Sequence, residues 1–340
     1  MNWEQEPSEL DWDRLVARLR AAESVLLVAH VNPDADALGS ALAAGLAMRQ
    51  LGIPALVSFD ESPFRVPQSL TWLPGAEILV PVELTPTRLD VAISFDASAI
   101  ERLGRLGAIC RGALLFAAVD HHRSYTGFAQ ISLVDVTAPA AAVLALELVD
   151  RLGAVLTKDI ATCIYAGVTT DTGSFQFAGT TADTHRLVAR LHDAGIEHDL
   201  IARAVFADRP FASLQLLGLA LDHAELDTSA LGGLGLVSTW VSLADRRELG
   251  LHLDAAESII DTLRETSQAH VAVVLKEGDD HVWRVSTRSK GVIDVSAVCG
   301  DLGGGGHRAA AGYSEEGSRE QVLARLRDGL EAQAKTISTQ

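Results

Sequence analysis

The sequence predicts an α/β protein, with a larger N-terminal domain built on a mainly parallel sheet covered by helices and a smaller C-terminal α/β domain. In the first half, short and wholly apolar runs alternate with longer helical patterns. Continuous apolar strands separated by helices are typical of a parallel sheet that helices cover on both faces. A break rich in Ser, Thr and Gly at residues 226–235, followed by further strands and helices, predicts the second domain.

The elements of the first domain can be predicted in chain order. Apolar strands are expected at 24–29, 55–59, 90–95 and 114–119. Helical patterns are expected at 37–51, which Gly52 and Pro54 end, near 100–106, at about 138–152 and at about 158–168. A charged and mostly helical stretch follows from 181 to about 226. We therefore expect a first domain at 1–190, a helical linker at 191–228 and a second domain at 229–340.

The second domain is predicted to begin with a strand at 234–240 and helical segments at about 243–249 and 255–265. Two strands, 271–276 and 281–287, are separated by Glu-Gly-Asp-Asp, which favours a hairpin. A last helix is expected near 320–331.

Composition excludes several classes of protein. The 28 Lys and Arg residues against 45 Asp and Glu give a formal net charge of −17, which argues against tracking along long duplex DNA because such binding depends on cationic side chains. The acidic N-terminus and the absence of a long apolar run predict a protein without signal peptide or membrane span. Three widely spaced cysteines predict buried thiols in a reducing cytoplasm.

Polar residues follow the predicted strands where each strand ends. The first strand leads into residues 30–40, the third into Asp96, and the fourth into Asp120, His121 and His122. Because the carboxyl ends of parallel strands meet at one edge of a sheet, we expect these groups to converge there. Asp171 lies at the end of a helical stretch in the segment 169–175.

The cluster of acids predicts a metal site. Singly, an aspartate after a strand is also common as a helix cap or turn former, and Asp36 could cap the helix that follows it. Together, so many carboxylates repel one another, and Arg123 alone cannot neutralise them. Carboxylates mixed with imidazoles suit manganese, magnesium or iron. Two ions roughly 3.5–4 Å apart, bridged by one carboxylate, would use the whole set.

Five segments carry a resemblance to a known family. HVNPDADALGS (30–40), SFDAS (94–98), VDHHRS (119–124) and TTDTGSF (169–175) resemble the four motifs of the DHH phosphoesterases. GGGGHRAAAG (303–312) resembles the glycine-rich signature of the associated C-terminal domain of that family. The five occur in the family's order and span nearly the whole chain. In its length and its last motif, the chain resembles the nanoRNase and pAp-phosphatase branch of the family, which includes cyclic-di-AMP phosphodiesterases.

This resemblance implies a site for two divalent ions, manganese in the first place, with magnesium, cobalt or iron as alternatives. One ion would be held by His30, Asp34 and Asp96. The other would be held by Asp36, Asp96, His121 and Asp171, so that Asp96 bridges the two. His122 would face the substrate phosphate, and Asp120 would orient the histidines.

The glycine run at 303–306 could be a flexible linker, but it lies inside a small domain and precedes the apolar segment 309–312. No Lys-Ser/Thr pair follows it, so it is not a Walker loop. Successive glycines let backbone N–H groups approach an anion closely. With the resemblance, the expected substrate contacts are Arg288, Ser289, Gly304, Gly305, Gly306 and His307, in a cleft between the domains.

The sequence departs from the family at one place. Relatives often have a Ser/Thr-x-x-Glu pattern at the start of the helix after the third motif, whereas this chain has Thr-Ala-Pro-Ala-Ala-Ala at 137–142 and no acid until Glu147. A role for this helix therefore cannot be carried over, although the expected metal ligands are unaffected.

The expected activity is manganese-dependent hydrolysis of short oligoribonucleotides (nanoRNA and pApA), pAp or cyclic-di-AMP to mononucleotides by two-metal-activated water. The expected partners are these short RNA or cyclic dinucleotide substrates, and neither long duplex DNA nor a membrane is expected. The resemblance also implies that the protein forms a homodimer. Two alternatives stay open. One is a pyrophosphatase or exopolyphosphatase of the same superfamily, and the other is a catalytically inactive nucleotide sensor.

Overall fold

A computed structural model describes residues 7–338, and the chain divides between Asp208 and Arg209 into two compact units. The predicted α/β class is confirmed. The first unit contains α1 (Glu9–Arg20), β1 (Val25–Ala29), α2 (Ala35–Gln50), β2 (Ala55–Ser58), β3 (Val91–Phe95), α3 (Leu106–Arg111), β4 (Leu115–Asp120), β5 (Ile131–Val134), α4 (Ala141–Leu152), α5 (Lys158–Asp171), α6 (Ala182–Asp193) and α7 (His198–Ala202). Short 3₁₀ turns lie at Gln68–Leu70, Ala76–Ile78, Val82–Leu84 and Ile100–Leu103, and a π-helical turn follows α7.

The first unit is built on a five-stranded parallel sheet with the strand order β2-β1-β3-β4-β5. All five residues of β1 are buried, and they alternate between two cores. Val25, Leu27 and Ala29 join the core that includes α2, α4 and α5, whereas Leu26 and Val28 join the core on the opposite face. This burial on both faces explains why the strands read as continuous apolar runs.

Two glycines let α5 lie close against α2 and α4. A Cβ atom on Gly39 of α2 would lie 2.6 Å from the carbonyl oxygen of Cys163 in α5. A Cβ atom on Gly167 of α5 would lie 2.5 Å from Oδ1 of Asp36 and 2.8 Å from Cβ of Ala142. Side chains at these positions would push the helices apart. The close packing places the end of α5 at the carboxyl edge of the sheet.

The second unit contains α8 (Phe211–Asp222), β6 (Glu225–Asp227), α9 (Ala230–Gly233), β7 (Leu236–Val241), α10 (Leu243–Glu248), α11 (Ile259–Leu263), β8 (Val271–Glu277), β9 (Trp283–Ser289), α12 (Val295–Asp301), β10 (Gly305–His307), β11 (Ala310–Glu315) and α13 (Arg319–Ser338). Its six strands have the order β10-β11-β9-β8-β7-β6 and pair antiparallel, except for β7 with β8. The expected hairpin is confirmed as β8–β9.

The sheet of the second unit is covered unevenly. On one face, residues of β8, β9 and β11 form a core with α12 and α13. On the other face, α8 and α11 cover β7 and β8, whereas the residues of β9, β11 and β10 on that face stay partly or fully exposed. The unit therefore presents a stretch of open sheet.

Several elements differ from the prediction. The strands β5, β6, β10 and β11 and the helices α1, α9 and α12 were not predicted, and the helical segment near 100–106 is a 3₁₀ turn followed by α3. β10 and β11 are rich in Gly and Ala, which have low strand propensity, so pairing with β9 rather than local preference makes them strands. The division at Asp208 falls inside the predicted interval 190–228, and the domain limits given above stay a prediction.

No single helix among residues 7–338 is long and apolar enough to cross a membrane, although the segments 198–207 and 211–222 together meet that length and composition.

Candidate metal centre and active site

Four segments of the first unit bring the expected metal ligands to one edge of its sheet. His30 follows β1, Asp96 follows β3, and His121 and His122 follow Asp120, the last residue of β4. Asp171 is the last residue of α5, and Asp34 and Asp36 lie at the start of α2. The expected ligands therefore converge at the carboxyl edge of the sheet, as predicted.

The first ligand group contains His30, Asp34 and Asp96. Nε2 of His30 lies 3.6 Å from Oδ2 of Asp34 and 3.6 Å from Oδ2 of Asp96. The other ring nitrogen, Nδ1, lies 2.8 Å from the carbonyl oxygen of Val31. A hydrogen bond from Nδ1 to this carbonyl leaves Nε2 as the lone-pair donor toward the two carboxylates, as in a metal-binding histidine.

The second ligand group surrounds His121. Its Nε2 lies 3.7 Å from Oδ2 of Asp36, 3.3 Å from Oδ1 of Asp96 and 3.2 Å from Oδ2 of Asp171. Its Nδ1 lies 3.0 Å from the carbonyl oxygen of Ala138, which orients the ring in the same way as Val31 orients His30.

Asp96 belongs to both groups, with Oδ2 facing His30 and Oδ1 facing His121. The residue is buried, and its Oδ1 accepts no hydrogen bond from residues 7–338. Its φ of 56° lies in the left-handed region, which aspartate tolerates better than most residues and which is common at functional sites. A buried carboxylate whose two oxygens face two histidine groups has the form of a bridging metal ligand.

The donor set fits divalent ions. The ligand atoms of His30, Asp34 and Asp96 all lie within 4.8 Å of one another, and so do those of Asp36, His121 and Asp171. Imidazole nitrogens and carboxylate oxygens without thiolates suit manganese, magnesium or iron rather than thiolate-bound ions. The residues present could thus hold two ions that share Asp96.

Asp36 has a second role that the sequence did not reveal. Its Oδ2 accepts a 2.7 Å hydrogen bond from the backbone N–H of Ala141, and its Oδ1 accepts a 2.8 Å bond from that of Ala142. These are the first two residues of α4, whose own N-cap, Ala140, makes no side-chain cap. The alternative in which Asp36 caps α2 is wrong, because Asp34 caps α2 through the N–H groups of residues 36 and 37.

Asp120 and His122 form a close pair beside the metal groups. Oδ1 of Asp120 lies 2.7 Å from Nδ1 of His122 and accepts hydrogen bonds from the backbone N–H groups of His121 and His122. Asp120 is fully buried. It therefore fixes the ring of His122 and the backbone of His121, while the carbonyl of Ala138 holds the ring of His121.

The electrostatics of the site reflect densely packed opposite charges. Burial opposes the charged form of His30, but the carboxylates of Asp34 and Asp96 outweigh it and raise the pKa of His30 to about 10. Burial also opposes the charged form of His121, but the carboxylates of Asp171 and Asp96 outweigh it and raise the pKa of His121 well above its usual range. Burial and repulsion from Asp171 and Asp96 raise the pKa of Asp36 well above its usual range.

Asp96 shows the opposite shift. Burial would raise its pKa, but the surrounding His122, His121 and His30 hold the pKa well below its usual range. Asp96 is thus a stable anion at the centre of the site, whereas His30, His121 and Asp36 hold their protons more strongly than usual. Divalent ions would replace those protons as the partners of the carboxylates.

In the second unit, strand pairing places Arg288 and His307 on one face. Arg288 of β9 pairs with Ala310 of β11, which pairs with His307 of β10, so the three residues form one row across the sheet. Two residues further along, on the same face, Gly305 pairs with Gly312. Residues in one row project from the same side, so Arg288 and His307 flank a floor of small residues.

The other expected substrate contacts have different surroundings. Ser289 falls on the opposite face from Arg288 by strand alternation, and its hydroxyl accepts a hydrogen bond from the N–H of Gly291. A Cβ atom on Gly304 would lie 2.1 Å from the carbonyl oxygen of Gly312, and Gly306 has a φ of 138°. Gly305, by contrast, has nothing within 4 Å of a Cβ atom. The fold therefore requires glycine at 304 and 306, whereas it does not require glycine at 305.

Sequence reasoning missed Arg102, whose guanidinium NH2 lies 3.1 Å from Nδ1 of His30. It also missed the carbonyl groups of Val31 and Ala138. A lone arginine in a short helical turn belongs to no motif, and every residue has a backbone carbonyl, so neither could have been found from residue types.

The chain matches known proteins along most of its length. Residues 24–168 match the DHH family, N-terminal domain, and residues 235–336 match the DHHA1 domain. Over 334 residues the chain is 32% identical to the bifunctional oligoribonuclease and PAP phosphatase NrnA of Thermus thermophilus, and the match covers 96% of each protein. It is also 26% identical to the uncharacterized protein MG371 homolog of Mycoplasma pneumoniae, covering 96% of this chain and 97% of that one.

Solved structures share the fold. An exopolyphosphatase-related protein from Bacteroides fragilis has a TM-score of 0.85 with 21% identity, covering 98% of each chain. RecJ from Thermus thermophilus, solved in complex with Mn²⁺, has a TM-score of 0.52 with 15% identity, covering 98% of this chain and 56% of RecJ.

The fold, the site and these matches define a metal-dependent phosphoesterase with two domains. The chain belongs to the DHH family, and its C-terminal part is a DHHA1 domain.

Proposed function

We propose that this enzyme hydrolyses short oligoribonucleotides and pAp, together with cyclic-di-AMP or its linear product pApA, to mononucleotides. One observation carries the proposal: two histidine and carboxylate groups share Asp96 at the edge of the first sheet. The substrates are supported by the likeness to NrnA, a bifunctional oligoribonuclease and PAP phosphatase, along 96% of both chains.

The proposed ions are two manganese ions, which mixed imidazole and carboxylate donors accommodate. His30, Asp34 and Asp96 would hold one ion, and Asp36, Asp96, His121 and Asp171 would hold the other. When bound, such ions activate water as the nucleophile and neutralise negative charge on the phosphoryl oxygens.

His122 is proposed to act on the substrate phosphate. Its Nδ1 faces Asp120, which orients the ring. Burial opposes protonation of His122, but Asp120 and Asp96 outweigh it and raise its pKa. The protonated ring can donate a hydrogen bond from Nε2 to a phosphoryl oxygen, where it would stabilise the charge that develops during the reaction.

The second unit is proposed to bind the part of the nucleotide that is not hydrolysed. Arg288 and His307 can contact a phosphate, and the sheet floor between them consists of Ala310 with Gly305 and Gly312 beside it. Gly305 supports this role, because the fold itself leaves room for a side chain there. Ser289 has weaker support as a substrate contact, since its hydroxyl accepts a hydrogen bond from the N–H of Gly291 in a local turn.

The site also bears on the two alternatives. A catalytically inactive sensor would be expected to lack a metal ligand, whereas every expected ligand is present and converges. A pyrophosphatase or exopolyphosphatase would keep the same metal centre and differ in substrate. We place the enzyme in the cytoplasm, which the three buried and unpaired thiols of Cys110, Cys163 and Cys299 support.

The test is a hydrolysis assay with Mn²⁺ on one panel: pApA, cyclic-di-AMP, pAp, a five-nucleotide RNA and pyrophosphate. We expect turnover of the nucleotides with AMP as a product of the adenine substrates, and the order of kcat/KM identifies the preferred substrate. Activity confined to pyrophosphate would overturn the proposed substrates and keep the metal site. Light scattering on the same preparation tests the homodimer.

A further inference from the structure

Arg102 lies at the edge of the first ligand group. It ends up there because the loop after β3 returns to β1: the carbonyl oxygen of Arg102 accepts a 2.8 Å hydrogen bond from the N–H of Val31, the residue after His30. The side chain then reaches His30, with NH2 of the guanidinium 3.1 Å from Nδ1 of the imidazole.

The main chain around Arg102 is held on its far side by Asp60. One oxygen of that carboxylate accepts a 2.6 Å hydrogen bond from the N–H of Arg105, and the other accepts a 2.7 Å bond from Nε of the same residue. Gly104 has a φ of 55°, and a Cβ atom there would lie 2.3 Å from Oδ2 of Asp60. The loop is therefore anchored at both ends of the segment 102–105, and Arg102 projects from a fixed base.

The charge of Arg102 has no counterpart in the fold. Within residues 7–338, no carboxylate lies within 4.0 Å of its guanidinium nitrogens, whereas Arg105 pairs with Asp60 and Glu83. Its polar neighbour is the imidazole of His30, whose Nδ1 already faces the carbonyl of Val31 at 2.8 Å. An exposed guanidinium beside an imidazole adds little to the stability of the fold. The chain has 45 acidic residues that could have paired with it, so the position of Arg102 calls for another explanation.

We infer that Arg102 binds the phosphoryl group that the enzyme hydrolyses, by donating hydrogen bonds to a non-bridging oxygen. This inference rests on the proposed function and adds a cationic contact in the first unit to the contacts proposed in the second. A guanidinium presents planar N–H donors that match phosphate oxygens in pairs, and it stays charged at every relevant pH. Its place beside His30 puts it next to the first ligand group, where a phosphoryl oxygen would lie.

The experiment compares Arg102→Ala, Arg102→Lys and Arg111→Ala, with pApA and pAp as substrates. Arg111 is the matched control: it is exposed, has no carboxylate partner among residues 7–338, and ends α3 just before β4 begins, at the opposite edge of the sheet. We expect Arg102→Ala to lower kcat/KM by about 10- to 100-fold, the effect typical of a hydrogen bond to a charged group. Arg102→Lys should recover part of the loss, and Arg111→Ala should leave kcat/KM within about twofold.

Two further readouts separate contact with phosphate from an effect on His30. Guanidinium ion added to Arg102→Ala should restore part of the activity, and Mn²⁺ affinity without substrate should change by less than about threefold. Calorimetric binding of inorganic phosphate to the Mn²⁺-loaded proteins should be weaker for Arg102→Ala than for the wild type.

An unchanged kcat/KM in Arg102→Ala would overturn the inference. A loss of Mn²⁺ affinity as large as the loss of activity would also overturn it, because Arg102 would then act through His30. If the wild type hydrolyses none of the nucleotides, the proposed function fails, and phosphate binding still decides the role of Arg102.

Discussion

The carboxylate of Asp36 accepts a 2.7 Å hydrogen bond from the backbone N–H of Ala141, 105 residues further along the chain. The same oxygen, Oδ2, lies 3.7 Å from Nε2 of His121. One buried side chain thus caps α4 and faces the metal centre. It compensates for Ala140, whose side chain offers no cap. The start of α4 and the metal centre are therefore linked through Asp36.

Replacing Asp36 should destabilise the protein even without metal. Asp36→Ala leaves two buried N–H groups without an acceptor, so we expect the free energy of unfolding in EDTA to fall by about 1–3 kcal/mol more than in Asp171→Ala. Both changes remove a carboxylate from the same cluster, so their difference reports the cap. Urea denaturation measures it, and equal stability of the two variants would show that the cap contributes nothing.

Replacing Asp96 should remove the ligand that both groups share. Asp96→Asn preserves the size of the side chain but loses one anionic oxygen, and we expect bound manganese to fall from two ions to one or none. Activity should fall by more than about 100-fold. Metal analysis after gel filtration and the pApA assay test this, with Asp13→Asn, at an exposed position of α1, as control. A variant that keeps two ions and full activity would contradict the bridging arrangement.

Manganese affinity should rise with pH. The raised pKa values of His30, about 10, and of His121 mean that both rings hold protons at neutral pH in the metal-free protein, and these protons must leave before metal binds. Each proton released gives up to about a tenfold gain in affinity per pH unit. Calorimetry between pH 6 and 8 should show this gain, and an affinity that is flat over that range would contradict it.

The same protons affect the stability of the metal-free protein. A raised histidine pKa stabilises the fold fully below the unfolded value of about 6.5, and this contribution is lost as the pH rises through about 10. The Tm in EDTA should therefore fall between pH 7 and pH 10 more than the Tm with manganese does.

The glycines at 304 and 305 should behave differently. Gly304→Ala places a methyl group against the carbonyl of Gly312 and should lower the Tm by several degrees, whereas Gly305→Ala should leave the Tm nearly unchanged. If the substrate lies on this part of the sheet, Gly305→Ala should raise the KM for pApA. An unchanged KM in a stable Gly305→Ala variant would remove Gly305 from the binding surface.

The sequence was most informative where local pattern and tertiary structure agree. The apolar runs ending at Ala29, Phe95 and Val119 predicted buried parallel strands, and polar residues after them predicted one converging site. The pattern could not predict that Asp36 caps α4, because its partners are backbone groups 105 and 106 residues away. Nor could it predict β10 and β11, whose Gly and Ala residues become strands only through pairing with β9.

The floor between Arg288 and His307 has a consequence for base identity. Ala310, Gly305 and Gly312 carry no hydrogen-bonding side chain, and the backbone groups of β11 pair with those of β10 and β9. These three residues would offer a purine or pyrimidine no side-chain donor or acceptor that distinguishes adenine from guanine, cytosine or uracil. If the proposed substrates bind there, RNA fragments of any base sequence should be degraded alike.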